Sequence, residues 1–156
     1  MNDWPDNKIF NNAIWDIRSH SMSPDDWKFT RIADYHECIV QHVDVASGEL
    51  PVVTAKTSPI NWYALTSRRI IGETDGTPFC VASDRMTRCD FGKNPKGYND
   101  VETDVAMIEH LDGDSVVMEF ETGHAWMAPE YYISWWVRKY VILDILKFDP
   151  NTKTTA

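Results

Sequence analysis

Between Asn61 and Gly76 the chain reads NWYALTSRRIIGETDG, two short apolar runs interrupted by Ser67, Arg68 and Arg69. In an extended run, alternate side chains point to opposite faces. Trp62, Ala64 and, beyond Thr66, Ile70 share one parity, while Tyr63 and Leu65 share the other. Apolar groups on both parities predict a strand pair that is largely buried, not a half-exposed ribbon. Asp75-Gly76 supplies the turn signal, because glycine accepts a positive φ at no steric cost. The rest of the chain reads as built around this hairpin.

Upstream, Ile9, Phe10, Ala13, Ile14 and Ile17 recur at helical spacing and predict a helix over Lys8 to His20. Ser23-Pro24-Asp25-Asp26 offers an N-cap, a first-turn proline and two acids, predicting a second helix from about Pro24 to Ala33 with Trp27 and Ile32 inward. Glu37 to Ala46 alternates and predicts a strand; after a turn at Ser47-Gly48-Glu49, Leu50 to Ala55 resumes as another. Downstream of the hairpin, strands are expected around Phe79 and Val81 and over Met86–Phe91, Asp104–His110, Ser115–Glu121 and His124–Met127. A loop at Gly92–Gly97 and turns at Leu111–Asp114 and Thr122-Gly123 separate them.

Pro129 opens the longest helix, PEYYISWWVRKYVILDILKF, with Tyr132, Ile133, Trp136, Val137, Tyr140, Leu143, Ile145 and Leu146 over most of its circumference. Arg138 and Lys139 at mid-helix oppose a membrane span, so burial on more than one side is expected. Five or six such buried side chains carry roughly 8–18 kcal/mol of gross transfer energy at ~1.5–3 kcal/mol each. Asp149-Pro150 ends the helix and a polar tail follows. The fold class expected is α+β, mostly β: a bent antiparallel sheet or partly open barrel of about seven strands, capped by a C-terminal helix. The divisions are an N-terminal helical extension over 1–33, the barrel and its helix over 34–148, and the tail over 149–156.

With 156 residues, one domain is the default, and seven tryptophans call for large buried faces or a face shared with a partner. The net charge of −9 opposes nucleic-acid binding and contact with anionic membranes, since both need positive potential. Three cysteines (Cys38, Cys80, Cys89) without a CxxC fit free thiols in a reducing cytoplasm. Met1 to Lys8 has neither a basic start nor an apolar run, so no secretory signal is expected there and the expected location is cytoplasmic.

The Tyr63-x-Leu65-Thr66-x-x-Arg69-Ile70-Ile71 pattern, the segment SDRMTRCDF and the apolar helix over 129–147 together resemble the bacterial pleckstrin-homology-like (PH-like) domains, over about residues 34–148. The resemblance implies an open barrel plugged by the last helix. In eukaryotic PH domains that bind inositol lipids, basic residues sit around the first strand-to-strand loop. The loop Ala46 to Leu50 here carries Glu49 and no base, which argues against phosphoinositide binding.

The residues with chemistry form no strong motif. His20, His36, His42, His110 and His124 show no HxH, HxxxH or HExxH spacing. Asp112-Gly113-Asp114 starts like a calcium loop, but its twelfth position is Gly123, so a β-turn is expected. GKNPKG lacks the Lys-Ser/Thr ending of a phosphate loop. His36 and Cys38 would share a face if their segment were a strand. The best basic set, Arg68, Arg69, Arg85 and Arg88 with Lys93 and Lys96, is a candidate weak anion site. Trp126, Tyr131, Trp135 and Trp136 cluster around the start of the last helix and are the candidate partner surface.

The expectation is therefore a non-enzymatic interaction module, binding another protein or itself, with no metal and no cofactor. The rival is a small-ligand pocket or enzyme in a curved α+β sheet, with His110 or His124 as its polar groups. A module predicts an interior filled by side chains and an aromatic patch outside. A pocket predicts a cavity with an ionisable group facing into it.

Overall fold

The computed structural model describes residues 4–97 and 101–146. Helix α1 (Asp6–His20) is followed by a 3-10 turn at Pro24–Asp26, a short strand β1 (Thr30–Ile32), helix α2 (Glu37–Val40) and a 3-10 turn at Val45–Ser47. Strands β2 (Pro51–Ser58), β3 (Asn61–Thr66), β4 (Arg69–Thr74) and β5 (Thr77–Ala82) come next. A 3-10 turn at Ser83–Arg85 leads to β6 (Met86–Asp90), β7 (Thr103–His110) and β8 (Ser115–Glu121). The C-terminal helix runs through α3 (Met127–Ser134), a π-helical stretch Trp135–Tyr140 and α4 (Val141–Leu146).

Strands β1 to β5 form one antiparallel sheet in sequence order, and β6 to β8 form a second. The sheets do not close into a barrel. Register shifts between Pro51 and Val53, between Lys56 and Ser58, and between Met86 and Arg88 bend the strands. Strand β8 packs across β2, β3 and β4, and α1 packs on α3 and β2. The space enclosed is filled by Tyr63, Leu65, Ile70, Val81, Ala106, Ile108, Met118 and Phe120, with Ile9, Ala13 and Ile17 of α1 in the same core.

The hairpin behaves as its residues require. Tyr63 and Leu65 enter this core, while Ala64 and Ile71 face a smaller cluster with Ile39 and Val43 on the other side of the sheet. Asp75 and Gly76 both take positive φ, 50° and 79°, closing the β4–β5 turn between Thr74 and Thr77. Gly72 is required for another reason: a Cβ there would lie 2.2 Å from the Trp62 carbonyl oxygen.

Three expectations are corrected. The helix expected over Pro24–Ala33 is a single 3-10 turn followed by β1. The Glu121 carboxylate accepts from the amides of Lys28 and Phe29, both at 2.8 Å, and from Thr30 Oγ1, holding this segment extended beside β2. The strand expected over Glu37–Ala46 is helix α2 and turns; Ile39 on α2 and Val43 in the turn after it pack over Ala64, Ile71 and Trp62 on the outer face of the sheet. The strand expected at His124–Met127 is a 3-10 turn that leads into α3, after Gly123 at φ 78° redirects the chain.

The C-terminal helix buries Tyr132, Ile133, Trp135, Trp136 and Tyr140, but its last turn emerges, with Ile145 and Leu146 largely exposed. In a regular α-helix, residues five apart are about 140° out of line at ~100° per residue. The π stretch aligns i with i+5. Trp135 and Tyr140 thereby meet at a centroid distance of 5.4 Å, and Trp136 lies 4.7 Å from Tyr140, so two adjacent tryptophans are both interior. Among the described residues no helix is long and apolar enough to cross a membrane. The expected helix stop at Asp149-Pro150 and the polar tail lie outside the described residues.

Candidate functional site

The Thr66-x-x-Arg69 pattern is a polar knot. Thr66 Oγ1 accepts from the Arg68 and Arg69 amides at 3.1 and 3.0 Å and donates to Glu49 Oε2 at 2.7 Å. Arg69 grips the same carboxylate through Nε at 2.9 Å and Nη2 at 3.0 Å, and the Asp44 amide donates to Oε1 at 2.8 Å. Glu49 is fully buried. Burial alone would raise its pKa, but the Arg69, Thr66 and Asp44 donors outweigh that and hold it below the usual carboxylate range. Tyr132 Oη donates to the Thr66 carbonyl at 2.5 Å and pairs with Ser83 Oγ at 2.6 Å, tying the C-terminal helix to this turn.

Arg68 makes the neighbouring tie. It holds Asp6, in the first turn of α1, through Nε at 2.9 Å and Nη2 at 3.0 Å, and Ser67 Oγ donates to the same carboxylate. The Arg68 hydrogen bond leads in keeping the Asp6 carboxyl below its ordinary pKa. The two central arginines of the expected anion site therefore already have their anions, Asp6 and Glu49. Arg85, in the 3-10 turn before β6, and Arg88, on β6 itself, are both exposed.

The expected aromatic surface is also rearranged. Trp135 and Trp136 are 1% and 2% exposed and belong to the core, in edge contact with each other at 5.1 Å. They form no outer face of this chain, because the π stretch turns both inward. Trp126 and Tyr131 are half-buried against the same core, and Tyr131 stacks on His20 at 4.2 Å.

The accessible apolar side chains lie elsewhere. Trp15 on α1 and Ile142 on α4 are 56% and 57% exposed, and Val141, Ile145 and Leu146 extend the apolar strip along α4. Between Trp15 and Ile142 runs a groove of about 200 Å³, bounded also by Asn12, Asp16, Trp135, Lys139 and Leu143. Asn12 and Asp16, one helical turn apart beside the Ile9–Ala13–Ile17 stripe, are 2% and 1% exposed. Asn12 Nδ2 donates to the Lys8 carbonyl at 2.8 Å, which leaves Oδ1 without a partner. Asp16 Oδ1 receives the Lys139 ammonium, while Oδ2 has no hydrogen bond. Thus the groove has aromatic and aliphatic walls, and the two unpaired acceptors are shut off from solvent behind them. Sequence reasoning assigned the apolar stripe of α1 and passed over Asn12 and Asp16. The signal was a polar pair at i,i+4 beside the stripe, with a tryptophan between them facing outward.

The remaining candidates stay apart. His36 bonds Thr54, and Cys38, on a helix instead of a strand, sits 3.6 Å from Lys56 Nζ. His110 Nδ1 lies 3.1 Å from Asp112 and His124 is exposed; neither borders the groove. Cys80 and Cys89, on strands of different sheets, are free thiols, and burial pushes the Cys89 thiol up to about 12. Among the described residues no three His, Cys, Asp or Glu side chains gather as a metal site. No family model, curated protein or solved structure matches the chain.

Proposed function

We propose that this chain is a non-enzymatic PH-like interaction module whose docking face is the groove between α1 and the C-terminal helix. The observation that carries the reading is the exposed apolar strip formed by Trp15 on α1 and Val141, Ile142, Ile145 and Leu146 on α4, on either side of this groove. Tryptophan is among the residues enriched at interface hot spots, and an exposed one beside a cleft is where a partner would dock. The two antiparallel sheets with a filled core, closed by a C-terminal helix, support the PH-like part of the proposal. The rival small-ligand pocket has the Asp16 carboxylate in its favour. At this groove the volume, about 200 Å³, is below the roughly 300–1,000 Å³ of sites for drug-sized ligands, and a single side chain from a partner fits it better. Clefts of about 560 Å³ beside Trp27 and Arg31 and about 570 Å³ beside Ile14 and Arg18 are the places left to the rival.

A displayed random-peptide library tests the proposal. Selection on the wild-type protein, with counter-selection on a Trp15→Ala/Ile142→Ser double variant, should enrich sequences that bind the former only. Both substituted residues are more than half exposed, so the variant should keep its unfolding midpoint. Failure to recover any sequence that distinguishes the two folded proteins would sink the reading.

A further inference from the structure

Resting on the docking-groove reading, we infer that the occupant is an amphipathic helix of a protein partner, with an apolar stripe flanked by acidic residues. The apolar half of that description comes from spacing. Val141 and Ile142 on α4 are exposed, and Ile145 and Leu146 repeat them one turn later. Trp15 on α1 stands across the groove from Ile142. A strip of this kind beside a cleft between two helices matches the i, i+3, i+4, i+7 stripe of a third helix laid along it.

The acidic half comes from charge. The chain has 24 Asp and Glu against 15 Lys and Arg. Yet among the described residues, the exposed side chains of α1 and of the C-terminal helix include Arg18, Arg138 and Lys139 and not one carboxylate. The acids of these helices are occupied or withdrawn: Asp6 holds Arg68, Asp16 is buried and paired with Lys139, and Glu130 and Asp144 are half-buried. Arg18 is one turn from Trp15, and Arg138 lies three positions before Val141. Among the described residues, neither arginine forms an ion pair. An apolar strip with unpaired bases at its rim complements an apolar stripe with acids at its flanks. A second copy seated by this same face would bring like-charged rims together. An anionic bilayer would meet the same charges, but the groove takes a protruding side chain, which a bilayer surface does not offer.

Two peptides with one apolar pattern, acetyl-ELEELLEELLEE-amide and acetyl-KLKKLLKKLLKK-amide, are titrated into the protein while the Trp15 indole N–H signal is followed by NMR. The glutamate peptide should shift that signal and saturate, binding at least about tenfold more tightly than the lysine peptide, and added salt should weaken it. In an Arg18→Glu/Arg138→Glu variant, changed only at exposed side chains, the order of the two peptides should reverse. The wild-type comparison and its salt dependence decide the matter if that variant does not fold. Equal binding of the two peptides, or a preference for lysine, overturns the inference and keeps the groove. Binding of neither overturns it as well, and the displayed library then judges the groove by itself. Vesicles of phosphatidylserine and phosphatidylcholine, and sedimentation of the free protein over a range of concentrations, are the remaining arms. A Trp15 shift produced by the vesicles or by self-association, and not by the glutamate peptide, assigns the face to a membrane or to a second copy and overturns the inference.

Discussion

Two buried carboxylates on this molecule have opposite surroundings. Glu49, in the loop before β2 and bonded to the β3–β4 turn, has no exposure and receives four donors: Arg69 Nε and Nη2, the Thr66 hydroxyl and the Asp44 amide. Asp16, on α1, is buried to 1%, yet one of its oxygens has no hydrogen bond and the other holds a half-exposed lysine. A buried charge is costly unless paired and hydrogen-bonded. Where the pairing is complete, the group locks loops and helices together. Where it is incomplete, as at Asp16, one oxygen is shut from water without a hydrogen bond. Arginines at a sheet turn are thus not by themselves an anion site: Arg68 and Arg69 already hold Asp6 and Glu49.

The largest effect expected is at the complete knot. Arg69→Ala strands a fully buried carboxylate and should cost about 3–5 kcal/mol in denaturant unfolding. The same pair sets a pH dependence. Glu49 has a folded pKa below its unfolded value, so its contribution is present above the unfolded carboxylate range and is lost as pH falls through the lower folded value. The stability difference between wild type and Glu49→Gln should therefore be greatest near neutrality and shrink on acidification. A difference that grows in acid would show that the knot does not act through the charged carboxylate.

Tyr132→Phe comes next. It removes the bonds to the Thr66 carbonyl and Ser83 and should cost about 1–3 kcal/mol, with Ser83→Ala adding little on top because both belong to one network. Lys139→Met should cost less than Arg69→Ala, about 1–3 kcal/mol, since it takes a single contact from the buried Asp16 carboxylate and the ammonium is itself half in water. A cost equal to that of Arg69→Ala would erase the contrast between the two carboxylates and make Asp16 a structural group. The smallest effect, about 0.5–1 kcal/mol, is expected for Asp6→Asn, whose pair with Arg68 is partly exposed; added salt should diminish the difference from wild type.

Much of the fold was legible in local pattern. The Asn61–Gly76 hairpin, α1, the strands β7 and β8 with their Asp112-Gly113 turn, and the long final helix all follow from periodicity and turn chemistry. The errors share a cause. Glu37–Ala46 alternates like a strand, yet Ile39 and Val43 pack over the outer face of the sheet. Pro24–Ala33 starts like a helix, yet Glu121, far along the chain, takes the amides of Lys28 and Phe29. Of the candidate surface, the aromatic surplus was visible, but which tryptophans were exposed was not. Trp135 and Trp136 lie in a π stretch and are buried, while Trp15, on the outer side of α1, is exposed.

The amino-acid order alone determined the β-hairpin, the helix-terminated antiparallel architecture and the acidic character, because those depend on side-chain alternation, turn residues and charge count. The partners of each buried charge were decided only in three dimensions. Asp6 meets Arg68 and Asp16 meets Lys139 across 62 and 123 positions of sequence, and no local signal reports a contact between groups that packing alone brings together.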